Sequence, residues 1–449
     1  MVRVTDMTHG RPIRLILLFS LPLMLGSVFQ QLYTIVDTII IGRGVGMQAL
    51  ASIGAADWIN WLVLWGLQGF TQGFAILAAQ EFGAGAYDRL RRVLAMIVKL
   101  SCWFGIAVTI ISLLLVRPLL TLLHTDPAVF GGAQTYLYVQ FGGSLIIIAY
   151  NMAAAVLRCL GDSRTPLFAI IAASFANIAL DLLFVMGFGW GIFGASFATV
   201  LAQLIAFLLC LRSLRLPFVQ LTKADWKTDP AILLHLSRLG IPTGLQMSMI
   251  TLGGMVLQSV LNGFGVVFVA GYTAANKLYG ILESASVAFG YAMTAYMGQN
   301  RGARNAARID AGIRAVLVLS AEFTAAIVTA MLVAGKPLLG LFLSTEEAGA
   351  AEALAVAYQY LMVLMAFLFA LFMLQAYRSS LQGLGEMTVP TLSGFAEMLM
   401  RMGAALVLPT FIGQSGVFFA EGAAWVCAAA LNLVWYYMRI GKIKRDMLK

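Results

Sequence analysis

Long apolar stretches separated by short polar ones run the length of the chain, and that pattern excludes most folds at the outset. Twelve stretches lie at 13–40, 48–80, 93–116, 133–157, 165–187, 193–214, 236–262, 268–298, 309–343, 354–382, 390–412 and 416–440. Each reaches the roughly 20 residues that carry an α-helix across a bilayer. A transmembrane barrel would show weaker, alternating segments of about ten residues. Composition agrees: 11% of residues are charged, against roughly 25% in soluble domains, and the mean hydropathy is +0.89. The expectation is an all-α polytopic membrane protein with twelve transmembrane helices. The first stretch is too long for a cleaved signal peptide and is expected to be retained.

A net charge of +9 would suit nucleic acid if it were clustered on a soluble face. Here it follows the membrane instead. Arg43, Arg117 and, at the outer end of its stretch, Lys336 lie on the outer side, and Lys277 and Arg401 lie well inside their stretches. The rest of the 29 Lys and Arg gather on the other side. This is the positive-inside pattern. It puts both termini in the cytoplasm and makes membrane lipids, not nucleic acid, the partner of the basic loops. Cys102, Cys159, Cys210 and Cys427 have no CxxC or ligand spacing and read as small packing residues. His9, His124 and His235 are isolated. No catalytic or metal-ligand constellation stands out, so neither an enzyme nor a bound cofactor is expected.

The chain repeats itself. "SLPLML" (20–25) matches "GIPTGL" (240–245), aligning Pro22 with Pro242. "QEFGAG" (80–85) matches "QNRGAR" (299–304), and "LRCLGDSRTP" (157–166) matches "LQGLGEMTVP" (381–390). Two six-helix lobes are therefore expected, 1–215 and 236–449, joined by a cytoplasmic linker at 216–235. Six spans per lobe give both lobes the same orientation, a parallel repeat of the kind that secondary transporters use to alternate access to a site between their halves.

Polar residues inside the spans then become the informative ones. Asp37, within "YTIVDTIIIG" (33–42), costs ~2.5 kcal/mol or more at the centre of a bilayer. Gln30, Thr34, Asp37 and Thr38 share one helical face, which must point to a bundle interior or to water. Asn177 and Asp181 are four apart and stack on one face of the fifth span. The eighth span carries a stripe of Tyr272, Asn276, Tyr279, Glu283, Ser286 and Gly290. Glu283 either attracts a cationic substrate or pairs with Lys277 or Arg401. Glu397 and Arg401 are spaced for an intrahelical salt bridge. Asp57, Trp61, Gln68 and Gln72 share a face that lines a cavity or, at Asp57, meets the outer interface. Met362, Met365, Phe369 and Phe372 are either an adaptable lipophilic pocket or packing.

At these residues the sequence resembles the multidrug and toxic compound extrusion (MATE) family. "YTIVDTIIIG" and "ANIALDLLFVMGFGWGIFGASFATVLAQ" (176–203) carry the resemblance most specifically, with the paired prolines and the L-G-[DE]-x-x-x-P turns. The resemblance implies a V-shaped pair of six-helix lobes that exchanges a cation, Na⁺ or H⁺, for small lipophilic, often cationic compounds. It also implies a multi-pass protein of the bacterial cytoplasmic membrane that functions as a monomer. Carried over by motif, the cation-coupling residues are Asp37, Asn177, Asp181 and Thr199, and the hinge is Pro22. The set offers only oxygen ligands, suited to a hard monovalent cation or a proton, so Na⁺ is the one metal ion the site would take. Two carboxylates sharing a dry pocket repel and so favour cation uptake; the alternative is that each bonds separately to a neighbouring helix. Gln30, Thr34, Gln68, Tyr279, Glu283 and Met365 are the candidate substrate-cavity residues. The family's other acidic positions, in spans 7 and 10, fall near Ile250 and Leu371 here, both apolar. The competing function is a lipid-linked precursor flippase of the same superfamily.

The topology is testable by cysteine labelling. Thiols introduced near Asp126 and Glu346 should react from outside, and those near Arg91 and Lys223 only after permeabilisation. Outside labelling at Lys223 would overturn this orientation.

Overall fold

The computed structural model describes residues 4–343 and 349–448; Glu346 lies outside them. Among the described residues the structure is helical throughout, with thirteen α-helices. They are α1 (Pro12–Gly44), α2 (Met47–Gly83), α3 (Tyr87–Leu122), α4 (Pro127–Gly142), α5 (Ser144–Cys159), α6 (Arg164–Asp181), α7 (Gly191–Ser213), α8 (Pro230–Asn262), α9 (Val266–Gly302), α10 (Ala306–Gly340), α11 (Ala350–Gly383), α12 (Thr388–Ile412) and α13 (Phe419–Leu448). Ten helical segments are long and apolar enough to cross a membrane, and α4 with α5, bent by 50°, make an eleventh. The twelfth expected span is α9. At 37 residues it is long enough, and its polar stripe is what sets it apart. The α4–α5 bend sits at Gly142-Gly143, where a Cβ on Gly143 would lie 2.5 Å from Val200 Cγ2. The glycine pair both weakens the helix and lets α7 approach.

The repeat is visible in the backbone. Gly161 and Gly385, equivalent in the two L-G-[DE] turns, both have positive φ, 88° and 72°, which favours glycine. Asp162 then caps the start of α6, accepting from Arg164 N and Thr165 N at 3.0 Å each. Gly85 and its counterpart Arg304 share the same left-handed conformation, φ 66° and 55°.

Compactness does not follow the two sequence halves throughout. One unit comprises residues 1–6 and 21–248, the other 7–20 and 249–449. The linker and the start of α8 thus belong with the first unit, and the start of α1 with the second. Packing supplies the reason. Gly69 and Gly73 on α2 meet Gly240 and Gly244 on α8 so closely that a Cβ on Gly73 would lie 2.5 Å from the Leu239 carbonyl oxygen. This is the small-xxx-small contact by which membrane helices bring their backbones together. Lys99 on α3 donates to Trp226 O at 2.5 Å and Thr228 Oγ1 at 2.8 Å, tying down the linker. There Asp225 accepts from Thr222 N (2.8 Å) and Thr222 Oγ1 (2.7 Å); these bonds, aided by Arg91 and Arg92, hold its carboxyl below the usual range despite partial desolvation. In the second unit, Arg308 on α10 donates to the carbonyls of Gly10 (2.8 Å) and Met7 (2.9 Å), and Met7 N donates to Gln299 Oε1 at 2.8 Å. Ser20 on α1 reaches the Ala288 carbonyl at 3.3 Å.

The α2–α8 contact predicts a graded response. Gly73→Leu cannot be absorbed against backbone and should destabilise the protein by about 1–3 kcal/mol or more. Gly54→Ala, where a Cβ meets nothing within 4 Å, should be neutral. Thermal unfolding in detergent compares the two; equal midpoints would show that the helices separate freely.

Candidate ion-coupling site

Three helices of the first unit converge on the acids. Helix α1 runs beside α6 with Gly26 near Leu167 and Gly44 near Val185, a parallel register that brings Asp37 level with the end of α6. Asn177 and Asp181, 1% and 0% exposed, face inward one turn apart. Directly after Asp181 the chain widens into a π-helical segment, Leu182–Gly187, a distortion common at functional positions. Gly189 and Gly191, φ 68° and 57°, then reverse the chain into α7. Packing of α7 on α6 sets Thr199 opposite Asn177. The Thr199 hydroxyl donates to the Ala195 carbonyl at 3.1 Å, which spends its proton and leaves its oxygen able to accept.

The Asp37 and Asp181 carboxylates lie within hydrogen-bonding reach of each other. When both are ionised, acceptor faces acceptor. Neither has a guanidinium or ammonium partner among the described residues. Asp37 Oδ1, both Asp181 oxygens and both polar atoms of the Asn177 amide are buried without a hydrogen-bond donor or acceptor to meet them. That is a donor-poor, oxygen-rich pocket, which fits a proton or a hard cation. Asp57 on α2 lies within electrostatic reach of Asp37. Asn60, one turn further on, donates to the Tyr136 hydroxyl at 3.2 Å. So Asp57 belongs to the acids' neighbourhood.

Beside the pair is a cavity of about 40 Å³ whose lining includes Gln30, Tyr33, Ser174, Asn177, Thr199 and Gln203, room for an ion or a water molecule or two. Sequence reasoning missed Ser174 and Gln203. Their signal was present: Ser174 precedes Asn177 by three and Gln203 follows Thr199 by four, so each continues the polar face of its helix. The Gln203 Oε1 is buried and without a partner. Thr34 and Thr38 are exposed and spend their hydroxyls on the carbonyls one turn back, Gln30 O and Thr34 O, at 2.9 and 2.8 Å.

The other candidate residues lie in places of different character. Gln68 is half-buried on α2 of the first unit. Tyr279 and Met365 are buried in the second unit. Tyr272 stacks on Tyr360, with centroids 4.4 Å apart, and Tyr279 stacks on Trp425 at 5.5 Å. The α9 stripe therefore faces α11 and α13 over much of its length. Glu397 and Arg401 do pair, at 3.1 Å, within a larger network. Arg378 reaches Glu397 at 2.5 Å, and Arg401 reaches Glu421 at 2.8 Å and the Ile250 carbonyl at 2.9 Å. Arg378, which the sequence reading did not single out, has a side chain only 4% exposed. Glu283 hydrogen-bonds Tyr279 and lies within electrostatic reach of Arg401, Glu421 and Glu397. Lys277, the other suggested partner, is exposed.

Comparison with known proteins now has a geometry to meet. The MatE family model matches residues 22–183 and 242–407, two segments that begin on the paired prolines. A probable multidrug resistance protein of Bacillus subtilis, YpnP, is 31% identical over 455 residues, covering 99% of this chain and 98% of the relative. The multidrug export protein MepA of Staphylococcus saprophyticus is 22% identical over 438 residues, covering 94% and 93%. Among solved structures, a MATE in complex with MaL6 superposes with a TM-score of 0.91 at 23% identity, over 99% of this chain and 100% of that one. A MOP superfamily transporter from Pyrococcus furiosus, described as having a binding pocket of reverse polarity, gives 0.90 at 24% identity, over 98% and 99%. Matched in both halves by the family model and nearly end to end by relatives, the chain belongs to the MatE family of multidrug efflux transporters.

Proposed function

We propose that the protein is a secondary antiporter that exchanges Na⁺ or H⁺ for small lipophilic, often cationic compounds, working as a monomer in a bacterial cytoplasmic membrane with both termini inside. It is a transporter and not an enzyme, and it needs no cofactor beyond the coupling ion. The observation that carries this reading is the Asp37–Asp181 contact: two carboxylates meet without a basic partner, flanked by an unsatisfied amide. Such a pair gains from a proton or cation and is strained without one. Occupancy then acts as a ligand whose free energy can bias one conformation over another. Asp37 and Asp181 carry the charge; Asn177 and Thr199 supply neutral oxygens.

Alternating access is the conformational half of the proposal. Pro22 removes one hydrogen bond inside α1, two residues after the point where the helix passes from one compact unit to the other. A bend there would move Asp37, fifteen residues on, relative to α6 and so change the pair. Solved relatives include MATE structures described as bent, straight and outward-facing, which supports a fold with several states. A flippase for lipid-linked precursors is the alternative. It is disfavoured because the groups beside the acid pair are carboxylates and neutral polar atoms, with no cationic side chain there among the described residues to hold a phosphate.

The decisive variants are Asp37→Asn and Asp181→Asn, tested in proteoliposomes under separately imposed Na⁺ and H⁺ gradients. Both keep shape and remove charge, so insertion and folding should survive while driven efflux collapses. Substrate should still bind. Its dependence on the coupling ion, about 5–150-fold for typical coupled sites, should disappear. Wild-type ion dependence in Asp37→Asn would reduce Asp37 to a structural hydrogen-bonding residue.

A further inference from the structure

The linker between α7 and α8 takes no part in the acid pair, yet it is held in a definite place within the first unit. It crosses to α3 and packs two short 3-10 turns against it, Pro217–Val219 and Lys223–Trp226. Phe218 packs on Phe82 and Tyr87, with centroids 5.9 and 5.3 Å away. Lys99 fixes the second turn by its bonds to Trp226 O and Thr228 Oγ1, and Arg91 adds an ion pair with Asp225 at 3.6 Å.

The position of Lys99 along α3 gives the depth of that turn. Lys99 lies about 18 Å along the helix from Tyr87. Residues 100–116 follow without a charge and make about 25 Å of helix, most of the roughly 30 Å hydrocarbon core of a bilayer. Trp103, Ile106 and Ile110 continue the face of α3 on which Lys99 stands, and they are 54%, 47% and 54% exposed. An exposed apolar stripe on a membrane-spanning helix faces lipid. Lys99 therefore holds the turn on the lipid side of α3, at the level where hydrocarbon gives way to head groups.

The side chains of the turn suit that level. Residues three apart eclipse in a 3-10 turn, so Lys223 and Trp226 share a face, whereas Asp225 is buried against Arg91. Lys223 and Lys227 are exposed, and Trp226 is 40% exposed. The acids nearby are already spent. Asp225 accepts from Thr222 N and Thr222 Oγ1. Asp229 caps α8, accepting from Ala231 N at 2.9 Å and Ile232 N at 3.2 Å. What the turn offers outward is an indole between two ammonium groups. Indole rings settle at the membrane interface, and lysines near the surface are drawn to anionic head groups.

We propose that this turn is a membrane-surface foot of the first unit: Trp226 seats at head-group level beside α3, and Lys223 and Lys227 bind the phosphate of an anionic phospholipid. The linker is then a fixed interfacial contact and not a free tether. Such a contact is independent of what the protein transports, and the orientation of the chain decides only which leaflet supplies the lipid.

Quenching by labelled lipids tests the foot. An environment-sensitive fluorophore is attached to Ala224→Cys in full-length protein without its accessible cysteines (Cys102→Ser, Cys427→Ala); Cys159 and Cys210 are buried. The protein is reconstituted in phosphatidylcholine nanodiscs. Lipid with a nitroxide near the head group should quench the fluorophore, and lipid with one deep in the acyl chain should not. Nitroxide-labelled phosphatidylglycerol should compete better than its phosphatidylcholine analogue, by about fivefold for each lysine. Lys223→Gln with Lys227→Gln should remove that preference. Lys442→Gln, at an exposed base of the second unit, should leave it intact. A fluorophore that neither lipid quenches overturns the proposal. So does equal quenching by the two lipids, or a preference that survives loss of both lysines in protein that remains monodisperse.

Discussion

An ionised carboxylate away from water must be met by something, and the structure meets its buried acids in two opposite ways. In the second unit, Glu397 and Glu421 are paired with Arg378 and Arg401 at 2.5–3.1 Å. Removing one member of such a network strands the others, typically at a cost of about 3–5 kcal/mol. In the first unit, Asp37 and Asp181 are given each other, an amide and a hydroxyl, and no base. The first arrangement fixes helices; the second leaves two buried carboxylates whose charge no base balances among the described residues. That difference distinguishes the two sets more sharply than burial does, because both are buried.

The acid pair depends on backbone geometry more than on the acids' own helices. Small residues let α1 lie along α6 and let α7 turn back on it. The π-helical segment after Asp181 ends the regular register where the carboxylate is presented. Glycine contacts elsewhere, above all Gly73 against Leu239 and Gly240, bring α2 and α8 together by close backbone approach. In lipid there is little hydrophobic gain from helix association, so close van der Waals approach does that work.

Much of this was legible in the sequence. Apolar length located the helices, and the duplicated Gly-acid-Pro turns located the repeat, because a left-handed glycine at Gly161 and Gly385 is required by both turns. Asp37, Asn177, Asp181 and Thr199 were found because polar side chains are conspicuous against an apolar background, although their grouping came from family resemblance. What stayed hidden was whatever depends on helix–helix geometry. Arg378 stands unremarked at the end of an apolar stretch until α12 brings Glu397 to it. Gln203 and Ser174 look incidental until α6 and α7 face each other. Gly69 and Gly73 show their purpose only when α8 arrives. The 50° bend between α4 and α5 left no trace beyond a pair of glycines, and the polar stripe of α9 made a long helix less apolar than its neighbours.

The assignment of helix ends to compact units has a historical consequence. Residues 7–20 of the first repeat belong with the second unit, and residues 230–248, which open the second repeat, belong with the first. Each repeat thus lends the beginning of its first helix to the other, an exchange of identical elements of the kind seen in domain-swapped dimers. An ancestral six-helix chain with this arrangement would have had no complete fold of its own; two copies would have had to intertwine before either was finished.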